Sequence, residues 1–215
     1  DENKRLVGVL TIDDMVDVIH EEASEDIKLL AGVGDEEISD NIASAVRSRS
    51  AWLVVNLFTS ILSSVVIGFF GATLEQMVAL AVLMPIVASM GGNAGNQTMT
   101  VTVRALALRE LDRSRIRRLV LREMGVGVVN GVIFAILLGT ITAIRFANWN
   151  LGVVIGIAMV INMIVAGTAG ILIPLTLNRL KIDPSVASSI FVTALTDVIG
   201  FFAFLGIAGL WFGLF

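Results

Sequence analysis

The chain has 215 residues, of which 56% are hydrophobic and 16% charged, and its mean hydropathy of +0.88 lies far above that of a domain folded in water. It contains no Cys, no Tyr and one His, so disulfide scaffolds, zinc fingers and His-rich hydrolase sites lack the residues they require. The formal charge of −4 hides an asymmetry: residues 1–40 hold 13 acids against Lys4, Arg5 and Lys28 (net −10), and the rest of the chain holds 6 acids against 12 bases (net +6).

An acidic arm therefore precedes a membrane body with basic loops, and nucleic acid is not an expected partner of such an arm. The arm lacks a basic start followed by an apolar run, so no cleavable signal peptide is expected. Leu6–Thr11 reads as a short buried strand and Ile12–His20 as a helix, with Met15, Val18 and Ile19 on one face and Asp13 as its N-cap. A strand and one helix cannot enclose a core, so these residues read as the tail of a larger cytoplasmic domain. Glu21–Asp40 then leads to the membrane, with Gly32 and Gly34 as helix breakers.

A helix needs about 20 mostly apolar residues to cross the hydrocarbon layer, and cutting the charge-free stretches at turn residues gives five spans. They run from about Ala51 to Phe70, Met77 to Val103, Gly125 to Ile144, Leu151 to Leu177 and Ser185 to Trp211. Strand-period alternation is absent, so the expected class is an all-α membrane protein and not a barrel. Arg47, Arg49, Arg104, Arg109, Arg113, Arg115, Arg117, Arg118, Arg122, Arg179 and Lys181 fall on one side of such a bundle and Arg145 on the other. By the positive-inside rule the arm is cytoplasmic and the C-terminus outside.

Within the second span, Pro85 is followed by MGGNAGNQ, Met90 to Gln97, and then Thr98, Thr100 and Thr102. Gly91, Gly92 and Gly95 permit close backbone approach or a broken helix. Asn93, Asn96 and Gln97 share a helical face and either bind the water shell of an ion or hydrogen-bond neighbouring helices. No Lys follows the glycines and no strand precedes them, so this is not a phosphate loop. In the third span, Gly125, Gly127 and Gly131 suit tight helix packing.

The fifth span carries the strongest functional signal, Asp197, about 15 Å into its helix when counted from Ala187. An ionised Asp at that depth costs roughly 2.5–3.5 kcal/mol and usually lines a pathway. Ser189, Thr193, Thr196, Asp197 and Gly200 fall at i, i+4, i+7, i+8 and i+11, on one face. Such a stripe either lines a pore or buries the Asp against hydroxyl groups of another helix.

Three stretches, MPIVASMGGNAGNQTMTVTVRALALREL, REMGVG at Arg122–Gly127 and TALTDVIGFF at Thr193–Phe202, resemble the MgtE family of magnesium channels. LVGVLTIDDMVDVIHEEASEDI at Leu6–Ile27 is similar to that family's last CBS strand and helix and the start of its connecting helix. The resemblance implies a homodimeric channel with five spans per chain that conducts hydrated Mg²⁺ and is closed by cytoplasmic Mg²⁺. It divides the chain into a CBS tail (1–23), a connecting or plug helix with its linker (24–50) and a channel domain (51–215).

The resemblance also implies metal-binding roles for Asp197 in the pore, Asp183 at the cytoplasmic mouth, and Asp14, Asp17, Glu22, Glu25 and Asp26 on the arm. Its pore lining would comprise Gly91, Gly92, Asn93, Gly95, Asn96, Gln97, Ser189, Thr193, Thr196 and Gly200; Ser189 stands where some members carry Asn. The implied partners are a second copy of the chain, the lipid bilayer of a bacterial inner membrane, and Mg²⁺, with Mn²⁺, Co²⁺, Ni²⁺ or Ca²⁺ as further candidate ions. Mg²⁺ prefers oxygen ligands and keeps several waters, and a two-fold dimer would bring two Asp197 carboxylates to one divalent ion.

Two other classes fit the residues themselves: a proton- or sodium-coupled carrier in which Asp197 cycles between protonation states, and a membrane assembly subunit that transports nothing. An enzyme ranks last, because no nucleophile and base stand together.

Overall fold

The computed structural model describes residues 11–30, 41–108 and 113–214. They divide into two compact units, one up to Trp52 and one from Leu53 onward. The expected strand at Leu6–Thr11 and the breakers Gly32 and Gly34 lie outside the described residues, apart from Thr11.

In the first unit, α1 (Ile12–Leu30) is one continuous helix. Its start corrects the expectation of an Asp13 cap. Thr11 caps instead: its hydroxyl accepts from the Asp14 amide at 3.2 Å, while the Asp14 carboxylate accepts from the Thr11 amide at 2.8 Å and from the Thr11 hydroxyl at 2.7 Å. This reciprocal pairing at positions three apart is a capping box, and a Thr-x-x-Asp spelling satisfies it. The Thr11 donors hold the Asp14 carboxyl below its usual range.

The remaining helices are α2 (Ile42–Gly68), α3 (Gly71–Gln76), α4 (Val78–Ala107), α5 (Arg113–Arg145), α6 (Trp149–Arg179) and α7 (Pro184–Phe212). Five of them, α2, α4, α5, α6 and α7, are long and apolar enough to cross a membrane, so the fold is an all-α membrane protein. Each helix is longer than the stretch expected from charge gaps, although α2 stops at Gly68 short of Phe70 and α4 starts at Val78 after Met77, because a helix keeps its i→i−4 bonds through the interfacial layer where charged side chains are tolerated. The short α3 was not expected.

Helix α6 is the centre of the second unit and packs against α4, α5 and α7, while α4 also packs against α7. Lipid is as apolar as a leucine core, so close helix approach depends on small residues. α6 supplies them: Gly152, Gly156, Ala158, Ala166, Gly167, Ala169 and Gly170 are all buried. At the crossing with α5, a Cβ on Gly139 would stand 2.8 Å from the Gly152 carbonyl oxygen, so neither helix accepts a larger residue there without moving.

The connections are tight. Asn148 caps α6 by accepting from the Leu151 amide at 3.1 Å, and Ala147 before it has a left-handed backbone with φ 48°. Asp183 caps α7 by accepting from the Ser185 amide at 2.8 Å, with Pro184 at the first helical position, where its missing N–H costs nothing.

An apolar cluster of Leu80, Leu83 and Val87 of α4, Leu151, Val154 and Ile155 of α6, and Phe201, Phe204 and Leu205 of α7 fills the end of the bundle where α4 and α6 begin. The polar residues of α4 and α7 lie beyond it, toward the last turns of α4 and the first turns of α7.

Candidate functional site

The glycine-amide segment lies inside an unbroken helix, α4, and its two residue types face different ways. Gly91, Gly92 and Gly95 are buried against α6 and α7: a Cβ on Gly95 would stand 2.5 Å from Val192 Cγ1, and one on Gly92 3.6 Å from Thr193 Cγ2. The glycines thus give spacing, bringing α7 onto the α4 backbone. Asn93, Gln97 and Thr100 are exposed, and with Asn96 and with Asn130 of α5 they line a groove of about 690 Å³.

The α7 stripe meets this segment edge to edge. Ser189 Oγ donates to Asn96 Oδ1 at 3.1 Å, joining two of the sequence-derived lining residues across helices. Thr196 is fully buried and its hydroxyl donates to the Val192 and Thr193 carbonyls of its own helix, while Gly200 is buried against Asn162. Those two positions are turned inward within the chain. Ser189, Thr193 and Asp197 are half-buried at the seam.

Asp197 lies 13 residues after Pro184, about 20 Å along α7. Its Oδ1 is shielded from solvent and has no hydrogen-bond partner among the described residues. A buried polar atom left unpaired costs about 1–3 kcal/mol, and more when charged. Structural packing alone would select against such a residue.

Asp183 is exposed, 14 residues before Asp197 in the sequence, so the two carboxylates are about 21 Å apart along α7 and do not share an ion within one chain. On α1, Asp14, Asp17 and Glu21 are exposed; the side chains of Glu22, Glu25 and Asp26 lie outside the described residues. Among the described residues, no three of His, Cys, Asp and Glu gather as a metal-binding group.

Two residues escaped the sequence reading. Asn162 of α6 is fully buried and donates from Nδ2 to the Val87 carbonyl of α4 at 2.8 Å, and its Oδ1 has no partner among the described residues. It occupies the space left by two glycines, since a Cβ on Gly91 would stand 2.8 Å from its Cγ and one on Gly200 3.0 Å. One amide thus fixes the separation of α4 and α7, and a lone Asn in an apolar span is the signal that could have revealed it. The second is Glu123 of α5, 6% exposed, which accepts from Thr98 Oγ1 at 3.1 Å. Starting the third span at Gly125 had left it among the loop charges.

A profile of the MgtE family, described as a divalent cation transporter, matches residues 84–207. Three curated relatives, each named magnesium transporter MgtE, are similar over nearly the whole chain. The protein of Bacillus subtilis (strain 168) is 35% identical over 209 residues, 97% of this chain and 46% of its own length. That of Enterococcus faecalis is 36% identical over 210 residues, 98% and 46%, and that of Thermus thermophilus 37% identical over 217 residues, 98% and 47%. The chain spans about half the length of the curated relatives it matches.

Proposed function

The chain belongs to the MgtE family of divalent cation transporters, and from that premise we propose that it conducts Mg²⁺ down its electrochemical gradient through a pore shared by two copies of the chain. The observation that carries this reading is Asp197: a mid-membrane carboxylate with one oxygen unpaired, on the seam where the Ser189–Asn96 bond joins α7 to the amide-bearing α4. A carboxylate held ready for an ion outside its own chain explains a cost that packing does not.

One Asp per chain leaves a divalent ion half neutralised, and two chains about a two-fold axis supply the second. Mg²⁺ gives up water reluctantly, so the ion passes with most of its shell, and Asn93, Asn96, Gln97, Ser189 and Thr193 hydrogen-bond that water. Gly91, Gly92, Gly95, Thr196 and Gly200 serve the lining by setting how closely α4 and α7 approach.

In the same reading, residues 1–23 are a CBS tail, 24–50 a connecting segment and 51–215 the channel domain. The arm is cytoplasmic and the membrane is a bacterial inner membrane. Asp14, Asp17, Glu22, Glu25 and Asp26 take up cytoplasmic Mg²⁺, which closes the channel, and Asp183 binds the ion at the pore mouth. Mn²⁺, Co²⁺, Ni²⁺ and Ca²⁺ are the ions to compare with Mg²⁺.

The deciding experiment is Mg²⁺ uptake into liposomes at a fixed Mg²⁺ gradient, with and without opposing proton and sodium gradients. Uptake that follows the Mg²⁺ gradient and the membrane potential alone is expected. Uptake that stops when the proton or sodium gradient is removed would replace the channel with a coupled carrier.

A further inference from the structure

Glu123 is a buried carboxylate for which the Asp197 pathway has no use. It lies within the span Arg115–Arg145, where an ionisable side chain is costly and needs a reason. Its surroundings are built closely. A Cβ on Gly167 of α6 would stand 3.0 Å from the Glu123 carbonyl oxygen, and one on Gly170, a turn further along α6, 2.8 Å from Thr98 Cβ. Two glycines of α6 therefore hold α5 and α4 so that the 3.1 Å bond from Thr98 to Glu123 forms between them.

Beside this bond is a cavity of about 160 Å³ lined by Gln97, Thr98, Arg122, Glu123, Asn130 and Gly127, among others. Its volume is that of about five waters at roughly 30 Å³ each. Apart from the Arg122 guanidinium, its polar lining is one carboxylate, two amides and a hydroxyl, with no thiol or imidazole, and Met163 is among its apolar lining. Oxygen donors of this kind suit hard cations, and Mg²⁺ in particular is held by one or two carboxylates with its remaining positions filled by water.

Arg122 pairs with this carboxylate only loosely: Nε is 3.7 Å from Glu123 Oε1, and the Arg122 side chain is 67% exposed. At that distance and exposure it is a counter-ion able to swing away.

We propose that Glu123, with Thr98, Gln97 and Asn130, forms a second cation site in each chain, separate from Asp197, which takes a partly hydrated divalent cation, and that Arg122 occupies the carboxylate when the ion is absent. The proposal rests on the divalent-cation reading for the choice of ion alone.

The test is a Mn²⁺ titration of the full chain in lipid nanodiscs, followed by electron paramagnetic resonance, with Asp197→Asn as the parent so that the pore carboxylate does not contribute. Exposed acids of α1 contribute equally to every curve. Adding Glu123→Gln, which keeps an acceptor for Thr98, is expected to remove one Mn²⁺ per chain, an ion that excess Mg²⁺ displaces from the parent. Adding Arg122→Gln instead is expected to tighten that ion about twofold to fivefold, the range of a partly exposed ion pair.

Unchanged Mn²⁺ stoichiometry in a Glu123→Gln protein that elutes and melts like the parent would overturn the site and leave Glu123 as a helix-to-helix tie. Unchanged affinity in Arg122→Gln would overturn it also, and that variant decides the matter if Glu123→Gln does not fold. Binding is read here without flux, so failure of this site leaves the transport reading untouched, and failure of transport leaves this site standing.

Discussion

Gly91→Ala tests the role of Asn162 most sharply. The added methyl would lie 2.8 Å from both Cγ and Oδ1 of Asn162, and Asn162 has no exposed surface into which to retreat. The amide either moves and loses its 2.8 Å bond to the Val87 carbonyl, or α4 moves away from α6. Overpacking of a tight interior costs about 1–3 kcal/mol, and a buried amide that loses its partner adds about 1–3 kcal/mol, so a loss of about 3 kcal/mol is expected. Asn162→Ala alone loses the bond but also removes the unpaired Oδ1, and should cost about 1–2 kcal/mol. In the double variant the methyl added at position 91 enters space vacated by the amide, so the two losses should fall short of their sum by at least about 1 kcal/mol. Unfolding in mixed micelles, followed by the fluorescence of Trp52, Trp149 and Trp211, measures all four proteins. Additivity within about 0.5 kcal/mol would refute the claim that Asn162 and Gly91 share one space.

Thr98→Val keeps the shape of the side chain but leaves the Glu123 carboxylate with the loose contact to exposed Arg122; the same unfolding assay should show a loss of about 1–3 kcal/mol, with Thr98→Ser near wild type. Ala147, with φ 48°, sits where a Cβ is unfavourable, so Ala147→Gly is expected to stabilise the protein by about 0.5–1 kcal/mol, read as a higher midpoint. The α1 cap should depend on pH with a definite sign: the Thr11 hydroxyl and amide lower the Asp14 pKa from 3.8, so the cap is fully present above that value and is lost as pH falls through the lowered one. Amide exchange across residues 14–17, corrected for intrinsic rates, should rise between pH 5 and about pH 2 in the wild type and much less in Asp14→Asn.

The five spans were legible because a membrane demands about 20 apolar residues and charges mark the gaps between them. Their ends were not, since nothing in the hydrocarbon requirement stops a helix at the headgroups: α5 begins at Arg113, well ahead of Gly125. This error concealed Glu123, which hydropathy alone assigns to a loop and only the pairing with Thr98 places inside. Helical spacing put Thr196 and Gly200 on the Asp197 face, but one face of a helix is wide enough to meet two neighbours, so Thr196 turns toward α4 and Gly200 toward Asn162. The glycines of MGGNAGNQ could be read as close-approach residues, yet what they approach depends on α6 and α7, which no local pattern reports. At Thr11 the capping box was present in the spelling, Thr-x-x-Asp, where the sequence reading placed the cap at Asp13.

The central claim is that Asp197 carries the divalent ion, and Mg²⁺ flux through Asp197→Asn in liposomes tests it most directly. Asn keeps the size of the side chain and removes the charge, so a variant that elutes and unfolds like the wild type is expected to lose at least about 90% of Mg²⁺ uptake at equal gradient, the effect of about 1.4 kcal/mol or more on the rate-limiting barrier. Wild-type uptake by that folded variant would contradict the account, because the carboxylate at the seam of α4 and α7 would then have no part in moving the ion.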